Sequence, residues 1–215
     1  MISRPCCPLR LPGLVLALMA CAVSPLAAAP QAEHIKQGKR TTALLVVPGK
    51  GFATAFCIDA EGFFITNEHA VRGITADSTL TLVLNPAETD QKVMEAHVAR
   101  VDRDLDLALL KVDGIKDLPT LELGDTKNLI ETAEIVAFGY PFGTALAVKR
   151  REYPSISVNV GRITALRKSE GRLETIQTDA VLNFGNSGGP VIDAEGKVIG
   201  VVNAGIQSVR GGGAG

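Results

Sequence analysis

From residue 43 onward the chain is divided into short apolar runs by turn signals about every 8–12 residues, and this rhythm constrains its fold more than any other feature. The first series of candidate strands is Ala43–Val47, Phe52–Ile58, Phe63–Thr66, Thr79–Leu84, Val93–Val101 and Leu107–Lys111. The second is Glu134–Phe138, Ser157–Leu166, Thr175–Thr178, Pro190–Ile192 and Val198–Ala204. Asp59-Ala60-Glu61-Gly62 and Asp193-Ala194-Glu195-Gly196 are D-x-x-G pieces that suit hairpins. Between the two series, residues 113–128 carry two glycines, a proline and several charges, and read as a linker. No helix beyond two or three turns is expected, and no internal repeat is visible. The pattern predicts an all-β protein of two roughly equal halves.

Composition narrows the function. The chain is 46% hydrophobic and 21% charged with a net charge of −1, ordinary for a globular protein with a real core. There is no basic stripe to meet nucleic acid, and with no Trp and few aromatics no platform for stacking bases. At the N-terminus, Arg4 and Arg10 precede an apolar run, Leu11 to Cys21, too short to span a bilayer. Ala27-Ala28-Ala29 then offers a small-residue cleavage region, so residues 1–29 read as a signal peptide and 30–42 as a polar, mobile extension. A second reading takes Leu18-Met19-Ala20-Cys21 as a lipoprotein box with a lipid anchor on Cys21. Either places the domain outside the cytoplasm, periplasmic or secreted. Cys6, Cys7 and Cys21 belong to that segment, which leaves Cys57 without an intramolecular partner; it is expected to be a small buried hydrophobe.

Candidate chemistry centres on Ser187 in Gly185-Asn186-Ser187-Gly188-Gly189-Pro190. Glycines let the backbone turn sharply and approach a ligand closely. The amides of Gly185 and Ser187, with that of Asn186, can then converge on a developing oxyanion. The same six residues also suit a plain glycine-rich hairpin loop. A serine hydroxyl needs a base, and three histidines are available. His34 lies in the polar extension and His97 on an alternating strand, but His69 follows a strand end, where loops present reactive groups. Asp106 opens the apolar run 107–112, where a carboxylate is costly to bury unpaired, and His69 would pair it. Asp102 and Asp104, beside Arg103, are its solvated rivals. No cofactor motif and no His/Cys/carboxylate spacing for a metal is present.

The order His69, Asp106, Ser187 and its local sequences resemble the chymotrypsin-like serine peptidases, and more closely their HtrA/Deg branch. Thr66-Asn67-Glu68-His69-Ala70-Val71 is similar to the histidine motif of that branch, and Asp106-Leu107-Ala108-Leu109-Leu110-Lys111 to its aspartate motif. Leu123-Gly124-Asp125, residues 137–143, 177–190 and 198–203 continue the likeness, which covers roughly residues 43–207. The resemblance implies two six-stranded antiparallel β-barrels, over 43–120 and 121–215, forming one peptidase domain. It implies a catalytic triad of His69, Asp106 and Ser187, polypeptide substrates, protein quality control and a trimeric homo-oligomer.

In trypsin-type members an acid six residues before the serine selects Arg or Lys; here that position is Val181, with Leu182 beside it. Val202, Asn203 and Ala204 would form the opposite wall, so small or medium aliphatic side chains are expected before the scissile bond. Three departures stand out. Gly51-Phe52-Ala53-Thr54-Ala55-Phe56 replaces the G-S-G-F-type turn of relatives, a change expected to touch a strand edge and not the triad. No PDZ domain is expected. The sequence stops at Gly215, where relatives continue into the last strand of the second barrel, so an open sheet edge is expected there. A catalytically weak module that binds extended polypeptides is the competing reading; an acyl hydrolase of the G-x-S-x-G type lacks its sequence context.

Overall fold

The computed structural model describes residues 28–75, 78–147 and 153–203. Strands β1 (Thr42–Val47), β2 (Gly51–Asp59), β3 (Phe63–Thr66), β4 (Leu80–Leu84), β5 (Lys92–Asp102) and β6 (Leu107–Lys111) close into an antiparallel barrel in the order β1-β2-β3-β6-β5-β4. Strands β7 (Glu134–Gly139), β8 (Ser157–Ser169), β9 (Arg172–Thr178), β10 (Pro190–Ile192) and β11 (Val198–Val201) form a second sheet in the order β11-β10-β7-β8-β9. The second half therefore holds five strands among the described residues, in line with its five candidate strands and with a second barrel expected to lack its last one. Residue 204 and those after it lie outside the described residues, as do the N-terminal segment with Cys21 and the cleavage region through Ala27.

The two halves share β1 and β2, and the period-two geometry of a strand explains how. Ala43, Leu45 and Val47 of β1, with Ala53, Ala55 and Cys57 of β2, point into the barrel and join Phe64, Leu82 and Leu110 in its core. The alternate residues face the other way. Leu44 packs with Tyr140, and Phe56 packs with Val136, Phe138 and Ile192 of the second sheet. Cys57 is fully buried as expected, and burial pushes its thiol up to about 11.

The polar extension is helical and packed against the body. Residues Ala28–Thr41 form helix α1, about four turns long, against an expectation of no long helix. Its sequence shows no apolar stripe, because Ile35 is its one large apolar side chain facing the core. Polar contacts hold the rest: Gln37 Nε2 donates to Thr120 O (2.7 Å) and Gln31 Nε2 to Glu134 Oε1 (2.7 Å). His34, expected to be solvated, has Nδ1 at 3.1 Å from Ala194 O.

Candidate active site

β3 ends at Thr66, whose hydroxyl donates to Thr54 O (2.7 Å). Asn67 is extended (φ −80°, ψ 148°), and the single turn of α2 (Glu68–Val71) follows. Val71 and Ala70 pack onto the barrel core, which anchors this turn and holds His69 at the rim. His69 Nδ1 lies 2.7 Å from Asp106 Oδ2, and the His69 N–H donates to Asp106 Oδ1 (2.9 Å). Asp106 itself sits at φ 53°, a left-handed conformation that its short polar side chain tolerates. Its carbonyl receives the Glu68 N–H (3.1 Å) and Asn67 Nδ2 (3.0 Å). Of its rivals, Asp102 is spent on a turn, its Oδ1 accepting the N–H groups of Asp104 (3.1 Å) and Leu105 (3.0 Å). Asp104 is exposed. His97 lies on β5, with Nδ1 at 3.4 Å from Asp113 Oδ2.

Ser187 comes from the second half but is fastened to the first. The Thr54 N–H donates to Ser187 O (2.9 Å), and the Thr54 hydroxyl donates to Gly185 O (2.7 Å) while accepting the Tyr140 N–H (3.1 Å). Gly185 adopts φ 97°, and a Cβ there would stand 2.3 Å from Tyr140 O. Gly188 (φ 86°) would place a Cβ 2.1 Å from Thr54 O. Phe184 O accepts the Phe142 N–H (2.8 Å). In a trans peptide C=O and N–H point in opposite directions, so the Gly185 N–H is turned away from Phe142. Ser187, 8% exposed, lines one cleft with Gly185 and His69.

A family model described as a trypsin-like peptidase domain matches residues 53–201. The chain belongs to this family. Among similar proteins, the chloroplastic Protease Do-like 1 of Arabidopsis thaliana is 34% identical over 185 residues, covering 82% of this chain and 38% of the relative. A probable periplasmic serine endoprotease DegP-like of Pseudomonas fluorescens is 34% identical over 166 residues, 76% of this chain and 31% of the relative. The chain thus spans well under half the length of these curated relatives. Among solved structures, Deg5 superposes with a TM-score of 0.66 at 25% identity, covering 79% of this chain and 82% of that one. The HtrA-type protease AlgW with tripeptide gives 0.64 at 30% identity, over 80% and 53%. These likenesses place the domain on the HtrA/Deg side of the trypsin-like peptidases.

Several site residues of this peptidase domain differ from their sequence-based roles. The Asn186 N–H donates to Asn183 O (3.0 Å), closing a turn, so this amide is engaged within the loop. Asn203, expected on the pocket wall, sends Nδ2 to Asp106 Oδ2 (3.1 Å) and braces the carboxylate. Val202 is 2% exposed, and its backbone pairs with Gly188 and Gly189 (2.9 and 2.8 Å). Val181, expected to be a buried floor, is 70% exposed, its carbonyl held by Asn159 Nδ2 at 2.6 Å. Leu182 is half-buried, and Ala204 lies outside the described residues.

Two contributors were missed. Thr54 sits inside the segment whose departure from G-S-G-F was expected to matter only at a strand edge. Glu68, next to His69, buries its side chain to 4% exposure and takes Arg72 Nε (2.9 Å) and Nη2 (2.6 Å), with Arg103 Nε at 3.8 Å. The hydrogen bond from Arg72 holds the Glu68 carboxyl below its ordinary range. This carboxylate ties the histidine turn to the 102–105 turn that delivers Asp106. A buried polar residue beside a candidate base was the signal in the sequence, but its two arginine partners are brought in only by the fold.

Proposed function

We propose that this domain is an exported serine endopeptidase that cleaves extended polypeptides through a triad of His69, Asp106 and Ser187. The observation that carries the reading is the Asp106–His69 pair, 2.7 Å apart, opening onto the same cleft as Ser187. Asp106 fixes the imidazole with its proton on Nδ1, which leaves Nε2 to accept the proton of Ser187 Oγ. Ser187 Oγ then attacks the scissile carbonyl, and the Gly185 and Ser187 amides stabilise the oxyanion. Each such donor typically contributes ~2.7–4 kcal/mol to the transition state. His69 returns the proton to the leaving amine, and water completes the second half of the cycle.

Cleavage after small or medium aliphatic residues is proposed because position 181, six residues before Ser187, carries no carboxylate to attract Arg or Lys; the exposed Val181 itself forms no buried floor. The charged, apolar and small-residue zones of residues 1–29 support export. Among the described residues no helix is long and apolar enough to cross a membrane. The test is incubation of purified protein with unfolded casein beside its Ser187→Ala variant. Cleavage by the wild type that the variant loses is expected; cleavage equal in both, or absent from both, would overturn the proposal.

A further inference from the structure

We propose that the cleft on the His69 side of Ser187 is a subsite for an apolar side chain on the residue that follows the scissile bond, selected by Phe52 and Phe184. The inference rests on the peptidase reading, because that reading gives the cleft its direction. His69 protonates the departing amine, so the chain beyond the scissile bond must leave past His69. The cleft is lined there by His69 and Ala70, by Phe184, Gly185 and Ser187, and by Val47 and Phe52 of the β1–β2 hairpin. None of Val181, Leu182 and Val202, expected on the acyl side, lines it.

Two large rings stand at this cleft with much of their surface in water. Phe184 is 77% exposed and Phe52 38%. The Phe52 ring and the Phe184 backbone are nonetheless held in place. The Phe52 ring lies on the bare face of Gly143, where a Cβ would come within 2.4 Å of it, and the Phe184 carbonyl is bonded to the Phe142 N–H. Exposed apolar surface that is held in place beside reactive groups marks a binding site more than a packing defect. The cleft measures about 210 Å³, and a cavity of roughly 150 Å³ accepts a benzene ring, so one large side chain fits. The Lys50 ammonium donates to Arg72 O at the rim, and its positive charge disfavours Lys or Arg in the same place.

The test uses quenched-fluorescence peptides identical up to a Val before the bond, with Phe, Leu, Gly or Lys after it. An apolar pocket discriminates roughly 10–200-fold, so Phe and Leu should exceed Gly by about tenfold or more in kcat/KM, with Lys poorest. Phe52→Ala and Phe184→Ala should each shrink the Phe-to-Gly ratio to about threefold or less. Taking the ratio within one variant cancels any loss of folded protein. A second arm measures binding of fluorescein-labelled Phe and Gly peptides to the Ser187→Ala protein by anisotropy, where the same preference is expected. Binding that discriminates, without any Ser187-dependent cleavage in the wild type, upholds the subsite and sinks the peptidase reading. Ser187-dependent cleavage with no discrimination in either arm, or a ratio that survives both substitutions, overturns the subsite alone.

Discussion

Replacing Thr54 by Val tests whether the first barrel builds the nucleophile loop. The substitution keeps the shape of a fully buried side chain and removes only its hydroxyl. Two backbone groups lose a partner: Gly185 O, which the hydroxyl meets at 2.7 Å, and the Tyr140 N–H, which it accepts at 3.1 Å. Each buried polar group left unsatisfied costs about 1–3 kcal/mol. Partial relaxation of the loop puts the sum near 2–4 kcal/mol, which for a domain of this size is a fall of roughly 5–15 °C in Tm. Catalysis should suffer separately. In the proposed mechanism Gly185 supplies an oxyanion amide, so freeing its carbonyl blurs that donor and should lower kcat about tenfold or more with little change in KM. The assays are thermal unfolding and peptide turnover on Thr54→Val and Thr54→Ser side by side. Serine restores the hydroxyl and should recover most of both losses. An unchanged Tm and kcat in the valine variant, or a serine variant as damaged as the valine one, would refute the argument.

Asp106→Asn keeps the shape of the side chain but favours the wrong imidazole tautomer, so casein cleavage should fall by about 10⁴-fold; retention of a tenth of the wild-type rate would remove Asp106 from the triad. Glu68 gives a pH signature. The hydrogen bond from Arg72 depresses its carboxyl below the ordinary value of 4.5, so the stability it contributes is present above that pH and is lost as pH falls further. Wild type should therefore be the more stable at pH 6, and its margin in Tm over Glu68→Gln should close in acid. A margin that stays constant down to about pH 3 would show that the carboxylate is not held this way.

What the sequence revealed, and what it concealed, follow from the range of the interactions. Strands were legible because alternation and turn residues are local, and Ser187, His69 and Asp106 could be nominated because each stands in a short motif. Asn203 was misread because its partner lies 97 residues away, and nothing local in Val201-Val202-Asn203 says that the amide turns to Asp106 and not to a pocket. Asn186 was misread for a different reason. Three consecutive amides in a glycine-rich loop look equivalent until the turn closes and one is consumed by Asn183 O. Helix α1 escaped detection because polar side chains fasten much of it to loops of the folded body, a pattern that has no period.

The same contacts explain why a site split between two halves can be positioned at all. β1 and β2 spend one face on the barrel and the other on the second sheet, so the core that stabilises β2 also fixes where Thr54 stands. Thr54 in turn reaches Ser187 O, Gly185 O and the Tyr140 N–H, all of the second half, while Thr66, leading into His69, donates to Thr54 O. The proposed base and nucleophile are thereby referenced to one residue on one strand, although 118 residues separate them in sequence. Asn203 closes the loop from the other side by bracing Asp106. Helix α1 adds a second tie across the seam, through Thr120 O at the edge of the first half and Ala194 O in the second. A misplacement of about 1 Å is enough to slow such chemistry roughly 10²-fold. A shared strand supplies the needed precision better than two barrels joined by the 113–128 linker could.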